Sequence, residues 1–143
     1  MIKLSRLSDY AVVVLETMCR TDGCVPLSAS QIALDSLLPE PTVAKVLKLM
    51  ANGGLVSSQR GVNGGYTLCH APADITVFAI VTAIEGRLGL TACVDGGDEG
   101  GCSLHQTCAM SGRWDPVNQA VRQAFESITL ADMICARMKK KVV

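Results

Sequence analysis

Apolar side chains recur along most of this chain at the spacing of an α-helix. In the stretch 43–50, Val43, Val46, Leu47 and Met50 stand at positions i, i+3, i+4 and i+7, which is one apolar stripe. Similar patterns, with their start and stop residues, predict six helices, at about 9–20, 28–36, 41–52, 76–85, 115–127 and 129–141. The residues 10–15 are apolar almost all round, so we expect the first helix to be buried on several sides.

Polar residues and prolines mark where these helices begin. Ser8 and Thr129 stand where N-caps are expected, and Pro41 suits a first turn, where its missing N–H costs nothing. Ser28-Ala29-Ser30-Gln31 fits a capping box, in which the two outer side chains bond each other's backbone amides.

Two short extended segments, Leu55–Gln59 and Tyr66–His70, predict a β-hairpin. Between them Asn63-Gly64 indicates a tight turn, because both central positions of such a turn favour positive φ.

This order of elements predicts a mainly α fold with a small β-hairpin, a winged helix-turn-helix followed by a C-terminal helix. We expect three regions: a DNA-binding domain at 1–86, a cysteine-bearing loop at 87–112, and a helix with its tail at 113–143. If the stripe of the third helix faces the core, Thr42, Lys45 and Lys48 face outward, where the first two suit base edges and Lys48 a phosphate. Arg60, at the base of the hairpin loop, suits phosphates or a minor groove.

The composition indicates what kind of core the protein has, and the distribution of charge indicates which segment faces away from DNA. Of the 143 residues, 49% are hydrophobic but only 3% are aromatic, so the core must be aliphatic. The net charge is zero, which gives no overall nucleic-acid signature. Residues 71–112, however, carry five acidic residues and one basic one, so this segment should face away from DNA. With no apolar run long enough to span a bilayer and no signal-peptide pattern, we expect a cytoplasmic protein that does not enter membranes.

Three of the seven cysteines fall close together in a glycine-rich stretch. Cys93, Cys102 and Cys108 are spaced C-x8-C-x5-C, and thiolates are soft ligands for iron–sulfur clusters, zinc or copper. Structural zinc favours closer cysteine pairs, so this spacing favours a polynuclear cluster over zinc or over three free thiols. A fourth ligand is open: His105 lies nearby, Ser111 is a poor ligand, and a carboxylate from elsewhere is an alternative. The remaining cysteines, which adjoin apolar segments, are expected to be buried small side chains: Cys19, Cys24, Cys69 and Cys135.

Several motifs together resemble the IscR, NsrR and RirA type of iron–sulfur transcription regulators, including regulators of the SUF cluster-assembly operon. The resemblance covers nearly the whole chain and is carried by Leu4–Val12, by Gly54-Leu55-Val56 through Gly64-Gly65-Tyr66, by Ile75–Gly86 and by the three cysteines with Trp114. It implies a homodimer that binds a double-stranded DNA operator and senses a 2Fe–2S or 4Fe–4S cluster. It also implies that the region 113–143 is a C-terminal dimerisation helix with its tail. The candidate DNA-contacting residues are Ser28, Glu40, Thr42, Lys45, Lys48, Arg60, Asn63 and Gly64.

The chain departs from the IscR type at the cluster ligands. Its first cysteine gap is longer, and Ser111 stands where that type has a ligating histidine. The NsrR type takes an aspartate from the partner's first helix, so the resemblance implies Asp9 of the partner subunit as fourth ligand; a carboxylate there also suits the helix dipole. Thr42 and Pro41 depart from the family at the recognition helix, so the operator sequence does not carry over.

Two other functions fit parts of the sequence. One is a zinc- or thiol-redox-responsive regulator on the same fold, and the other is an interaction module that does not bind DNA. An enzyme is not expected, because neither His70 nor His105 belongs to a recognisable nucleophile–base pair.

Overall fold

The structure is a computed structural model that describes residues 3–21, 24–91 and 107–140, the last four of these by their backbone only. These parts form six helices and one antiparallel hairpin, as the sequence predicts. The elements are α1 (Arg6–Cys19), α2 (Ala29–Ser36), α3 (Glu40–Asn52), β1 (Val56–Gln59), β2 (Gly65–Leu68), α4 (Val77–Glu85), α5 (Asp115–Glu126) and α6 (Leu130–Lys140).

The core lies where α1, α3 and α4 pack together. Along α3 the predicted stripe is buried, with Val43, Val46, Leu47 and Met50 each 0% exposed. The facing residues of α1 are Ala11, Val14, Leu15 and Met18, and all are buried. Truncating one of these larger aliphatic side chains to alanine typically costs about 2–5 kcal/mol, so this packing holds α3 firmly.

Helix α1 begins earlier than predicted, because Ser8 is not its cap. Ser5 occupies the N-cap position, and the helix starts at Arg6. Ser8 lies in the first turn with its side chain buried, and its hydroxyl donates to Oε1 of Glu85 over 2.6 Å. The serine therefore connects α1 to the end of α4 rather than capping its own helix.

Only half of the predicted capping box forms at α2. The Ser28 Oγ accepts a hydrogen bond from the Gln31 N–H at 3.1 Å, as expected. The Gln31 side chain instead donates to Asp35 Oδ1 at 2.9 Å, one turn further along. By contrast, the cap of α6 is reciprocal: Thr129 Oγ1 accepts from the Asp132 N–H, and Asp132 Oδ2 accepts from the Thr129 N–H.

The hairpin is present, but its turn differs from the predicted one. Gln59 pairs with Gly65, which leaves a loop of residues 60–64 rather than a two-residue Asn63-Gly64 turn. Positive φ occurs at Gly61 (117°) and Gly65 (154°), and at neither Asn63 nor Gly64. Gly64 is needed for another reason, since a Cβ there would lie 2.3 Å from the Gln59 carbonyl oxygen.

A third short segment joins the hairpin. The Leu27 N–H donates to the Tyr66 carbonyl oxygen (3.1 Å), and the Tyr66 N–H donates to the Leu27 carbonyl oxygen (2.8 Å). This isolated antiparallel bridge ties the chain just before α2 to strand β2. The helix-turn-helix and the wing are thus fixed to each other by backbone hydrogen bonds.

The C-terminal helices return to the same core. The Leu130 N–H donates to the Ile75 carbonyl oxygen (2.8 Å), the Val77 N–H donates to that of Ile128 (2.8 Å), and Leu130 is 0% exposed. None of the helices in the described ranges is long and apolar enough to cross a membrane.

The backbone of the helix-turn-helix is strained at Leu37, the residue that ends α2. It ends α2 in the left-handed region, with φ of 59°, although its side chain is 89% exposed. A branched side chain there costs about 1–2 kcal/mol, whereas asparagine tolerates this conformation. We expect Leu37→Asn to raise the free energy of unfolding by about 0.5–1 kcal/mol in urea denaturation.

The matched control is Leu34→Asn, which changes an exposed leucine inside α2. Asparagine relieves no backbone strain at this helical position. Because asparagine has a lower helix propensity than leucine, we expect Leu34→Asn to lower the free energy of unfolding by roughly a few tenths of a kcal/mol. Equal effects of the two substitutions would refute the strain at Leu37.

Candidate nucleic-acid interface and cysteine segment

The outer face of α3 carries two lysines. Burial of the apolar stripe leaves Lys45 and Lys48 exposed, one turn apart, and Thr42 half-buried near the start of the helix. The predicted orientation of these three side chains is therefore confirmed.

The other DNA-contact candidates already have identifiable roles within the chain or lie in the wing. Ser28 caps α2, and Glu40, in the first turn of α3, accepts a hydrogen bond from the Ser30 hydroxyl at 2.8 Å. Arg60 and Asn63 are exposed in the wing loop, beside the half-buried Gly64. These placements do not test contact with DNA, which stays a prediction for all eight residues.

Of the three predicted cluster cysteines, the structure describes one. Cys93 and Cys102 lie outside the described residues. Cys108 is exposed in a turn that precedes α5, and its carbonyl oxygen accepts a hydrogen bond from the Ser111 N–H at 3.1 Å. Within the described parts of the chain, no three His, Cys, Asp or Glu side chains are grouped closely enough to hold a metal ion.

Asp9 lies on a groove that the sequence did not predict. It is exposed in the first turn of α1, where a carboxylate is favoured by the helix dipole. The groove has a volume of about 280 Å³ and runs between α1, α4 and α6; besides Asp9, it is lined mostly by apolar side chains, including Leu4, Val12, Val81 and Met133.

Glu85 is a second residue that sequence reasoning missed. Its Oε1 accepts hydrogen bonds from the Ser5 N–H (2.9 Å) and from the Ser8 hydroxyl (2.6 Å). These hydrogen bonds, from Ser5 and then from Ser8, hold the pKa of the Glu85 carboxyl below its ordinary value. One signal was available: a carboxylate at the last position of a helix faces the negative end of the helix dipole, so it needs another partner.

The four remaining cysteines are not the buried side chains that the sequence predicted. Cys24, Cys69 and Cys135 are exposed, and only Cys19 is partly buried. Burial, and then the charge of Glu16, raise the pKa of the Cys19 thiol. Cys19, Cys24, Cys69 and His70 line one cavity of about 440 Å³.

The winged-helix fold, together with a family match over most of the chain, defines the class: this is a winged-helix, DNA-binding transcription regulator. Residues 4–136 match the profile of the Rrf2 family, described as iron-dependent transcriptional regulators. The chain belongs to the Rrf2 family.

Relatives agree with this assignment. The HTH-type transcriptional regulator slr0846 of Synechocystis is 33% identical over 131 residues, covering 92% of this chain and 86% of the relative. The structure of CymR, the global cysteine regulator of Bacillus subtilis, superposes with a TM-score of 0.68 at 26% identity and covers 95% of this chain and 98% of CymR. IscR of T. potens gives a TM-score of 0.65 at 29% identity and covers 95% of this chain and 88% of IscR. These relatives are transcription regulators and not enzymes.

The Glu85 contact predicts a pH-dependent contribution to stability. Because the pKa is lowered in the folded state, the stabilisation is present above the unfolded pKa and is lost as pH falls through the folded pKa. At neutral pH we expect Glu85→Gln to lower the free energy of unfolding by about 0.5–1 kcal/mol, a small effect because water screens the exposed carboxylate. The difference in the free energy of unfolding between wild type and Glu85→Gln should shrink as the pH is lowered below about 4, close to the ordinary pKa of glutamate, because the wild-type carboxylate is then protonated.

Glu126→Gln is the control, since Glu126 pairs only one turn away, with Arg122, on an exposed face of α5. It should change stability by less than about 0.5 kcal/mol. A Glu85→Gln protein that follows the wild-type pH profile would contradict the role of this carboxylate.

Proposed function

We propose that this protein is a homodimeric transcription regulator that senses an iron–sulfur cluster held by Cys93, Cys102 and Cys108, and that it controls iron–sulfur assembly genes of the SUF type or related stress genes. The observation that carries the proposal is that one chain joins an outward-facing basic helix to a three-cysteine segment, within a family described as iron-dependent. The protein acts in the cytoplasm, where a reducing environment keeps these thiols available as ligands.

DNA binding is assigned to the face that carries α3 and the wing. Lys45 and Lys48 are exposed on α3, Arg60 and Asn63 are exposed in the wing, and the Leu27–Tyr66 bridge fixes the two elements together. In this arrangement α3 enters the major groove with Thr42 and Lys45 at base edges, while Lys48 and Arg60 neutralise phosphates.

The homodimer is assigned to α5. No residue of this helix is buried, yet it carries an apolar stripe that continues beyond both of its ends. Trp114 (41% exposed), Val117 (45%) and Ile128 (45%) belong to the stripe together with Val121 and Ala124. Their alternating spacings of three and four residues suit the packing of two helices side by side, which would remove this apolar surface from water.

The donor set fits an iron–sulfur cluster. Three thiolates are soft ligands, and the described one, Cys108, is an exposed free thiol. The fourth ligand is Asp9 of the partner subunit. This proposal rests on the resemblance to the NsrR type, and it is supported by the exposure of Asp9 beside the groove between α1, α4 and α6, which leaves the carboxylate accessible. Residues 1–86 then form the DNA-binding domain, 87–112 the cluster loop, and 113–143 the dimerisation helix and tail. The cluster, 2Fe–2S or 4Fe–4S, would supply the response to iron or oxidants.

DNA binding can be tested without knowing the operator. On a mixed-sequence duplex, the slope of log K against log salt concentration reports phosphate contacts. We expect Lys48→Ala and Arg60→Ala each to weaken binding several-fold and to reduce the slope by about one per protomer, measured by fluorescence anisotropy.

Arg113→Ala, an exposed arginine just before α5, removes the same charge outside this face and should leave the slope unchanged. If wild-type protein shows no salt-dependent binding, or if all three variants behave alike, the assigned DNA face is wrong.

The cluster is tested by spectroscopy and metal analysis. Protein purified without oxygen should be brown, absorb in the visible range, and contain iron and acid-labile sulfide. Cys93→Ala, Cys102→Ala and Cys108→Ala should each abolish this absorbance, and Asp9→Ala should alter or weaken it, because each removes one ligand.

Cys135→Ala is the matched control, since it removes an exposed thiol of α6 that is not a proposed ligand. Colourless protein after anaerobic reconstitution would overturn the proposal. Bound zinc without iron or sulfide would instead support a zinc-responsive regulator on the same fold.

A further inference from the structure

A side-chain hydrogen bond closes the base of the proposed cluster loop. Leu90 lies in the chain that leaves α4, and its N–H donates to Oδ1 of Asn118 over 3.3 Å. Asn118 belongs to α5 and stands 28 positions further along the chain. All three proposed ligands, Cys93, Cys102 and Cys108, lie between these two residues in the sequence. The hydrogen bond therefore joins the start of the cysteine-bearing stretch to the helix that follows it.

The other end of the loop reaches α5 through hydrogen-bonded turns. The Ser111 N–H donates to the Cys108 carbonyl oxygen (3.1 Å), and the Asp115 N–H donates to the Gly112 carbonyl oxygen (3.2 Å). Asp115 is the first residue of α5. Because such turns shorten the path of the chain, Cys108 stays near the end of the helix that carries Asn118.

Helix α5 supports this hydrogen bond because a second residue holds the helix against α4. Arg122 follows Asn118 by four positions, so the two side chains share one face of the helix. The guanidinium carbon of Arg122 lies 4.7 Å from the centre of the Phe78 ring in α4, and its Nε donates to Glu126 Oε1 at 2.8 Å. The acceptor for the Leu90 N–H is thus on a helix that other contacts also place.

The identity of residue 118 matters because asparagine is a poorer helix former than leucine or alanine. Its oxygen accepts a hydrogen bond from the backbone of Leu90, which is half-buried, and a buried N–H without a partner is costly. Cys93 follows Leu90 by three residues, a length of chain that spans at most about 11 Å. Thiolates that meet on one centre lose chain entropy, and a contact that already closes the loop reduces that loss.

We propose that Asn118 is a positioning residue for the iron–sulfur cluster. Its Oδ1 holds the backbone of Leu90, which keeps the chain that enters Cys93 beside the turn that carries Cys108. Asn118 is not a ligand and acts only through this backbone contact. The inference rests on the proposed function, because it requires these cysteines to be ligands.

The rate at which a chelator removes the cluster tests this role. In anaerobic EDTA the visible absorbance of Asn118→Leu should decay about threefold to tenfold faster than that of wild type, the range expected from one lost hydrogen bond. Leucine keeps the approximate shape of asparagine but has no acceptor, and Asn118→Ala should behave in the same way without adding apolar surface. Circular dichroism of both variants checks that they fold.

Two controls separate the acceptor from the helix. Asn118→Asp keeps an acceptor oxygen, and its charge suits the first turns of a helix, so it should lose the cluster at nearly the wild-type rate. Gln119→Leu makes the matching change at the next, exposed position of α5 and should have no effect. A cluster that Asn118→Leu and Asn118→Ala lose as slowly as wild type would overturn the positioning role alone.

Titration of the apoprotein with cobalt(II) gives a readout that needs no iron–sulfur cluster. Thiolates also bind cobalt, and closing the loop should favour any metal that the three cysteines hold together. We expect Asn118→Leu to weaken cobalt binding about threefold to tenfold, and Asn118→Asp and Gln119→Leu to leave it unchanged. Cys93→Ser/Cys102→Ser/Cys108→Ser should abolish it. Equal cobalt affinities of wild type and Asn118→Leu would contradict the inference, whereas a wild type that holds neither cluster nor cobalt at these cysteines would overturn the proposed function as well.

Discussion

The rotation of α3 about its own axis is the constraint on which the rest of this structure depends. Four of its side chains have no exposed surface, and they meet four equally buried side chains of α1. Turning the helix to present another face would expose this apolar surface and bury lysine side chains, at a cost of several kcal/mol. Lys45 and Lys48 are therefore directed outward by the core and not by their own charge.

Two long-range contacts extend that constraint to the rest of the chain. The Leu27–Tyr66 bridge fixes the wing against the helix-turn-helix, and Glu85 fixes the end of α4 to the start of α1. Gly86, immediately after Glu85, is where the chain leaves α4 towards the cysteine segment. The proposed sensing region thus follows directly after Glu85, whose side chain is held by hydrogen bonds to α1 and to the residue before it. One of the residues that donate to Glu85, Ser8, is the immediate sequence neighbour of Asp9.

The sequence was sufficient for features that depend on local periodicity. The stripe of α3, the cap at Thr129 and the order of the elements all follow from spacing along a short stretch of chain. Features that depend on distant partners were not predictable in this way. Ser8 looked like a cap because its true partner, Glu85, stands 77 residues away. Asn63-Gly64 looked like a tight turn because the strand register, which sets the loop length, is decided by pairing rather than by the turn residues. Cys24 and Cys69 were expected to be buried because cysteine beside apolar residues usually is, whereas both lie at the rim of a cavity between elements.

The central claim is that the state of the cysteine segment controls the DNA-binding face. The most direct measurement compares one anaerobic preparation before and after its cluster is removed by a chelator, using genomic DNA fragments selected by the intact protein. The account predicts an affinity change of about tenfold or more for wild type, within the usual range of coupling between sites, and no change for Cys108→Ala. Equal affinities of wild type in the two states would contradict it.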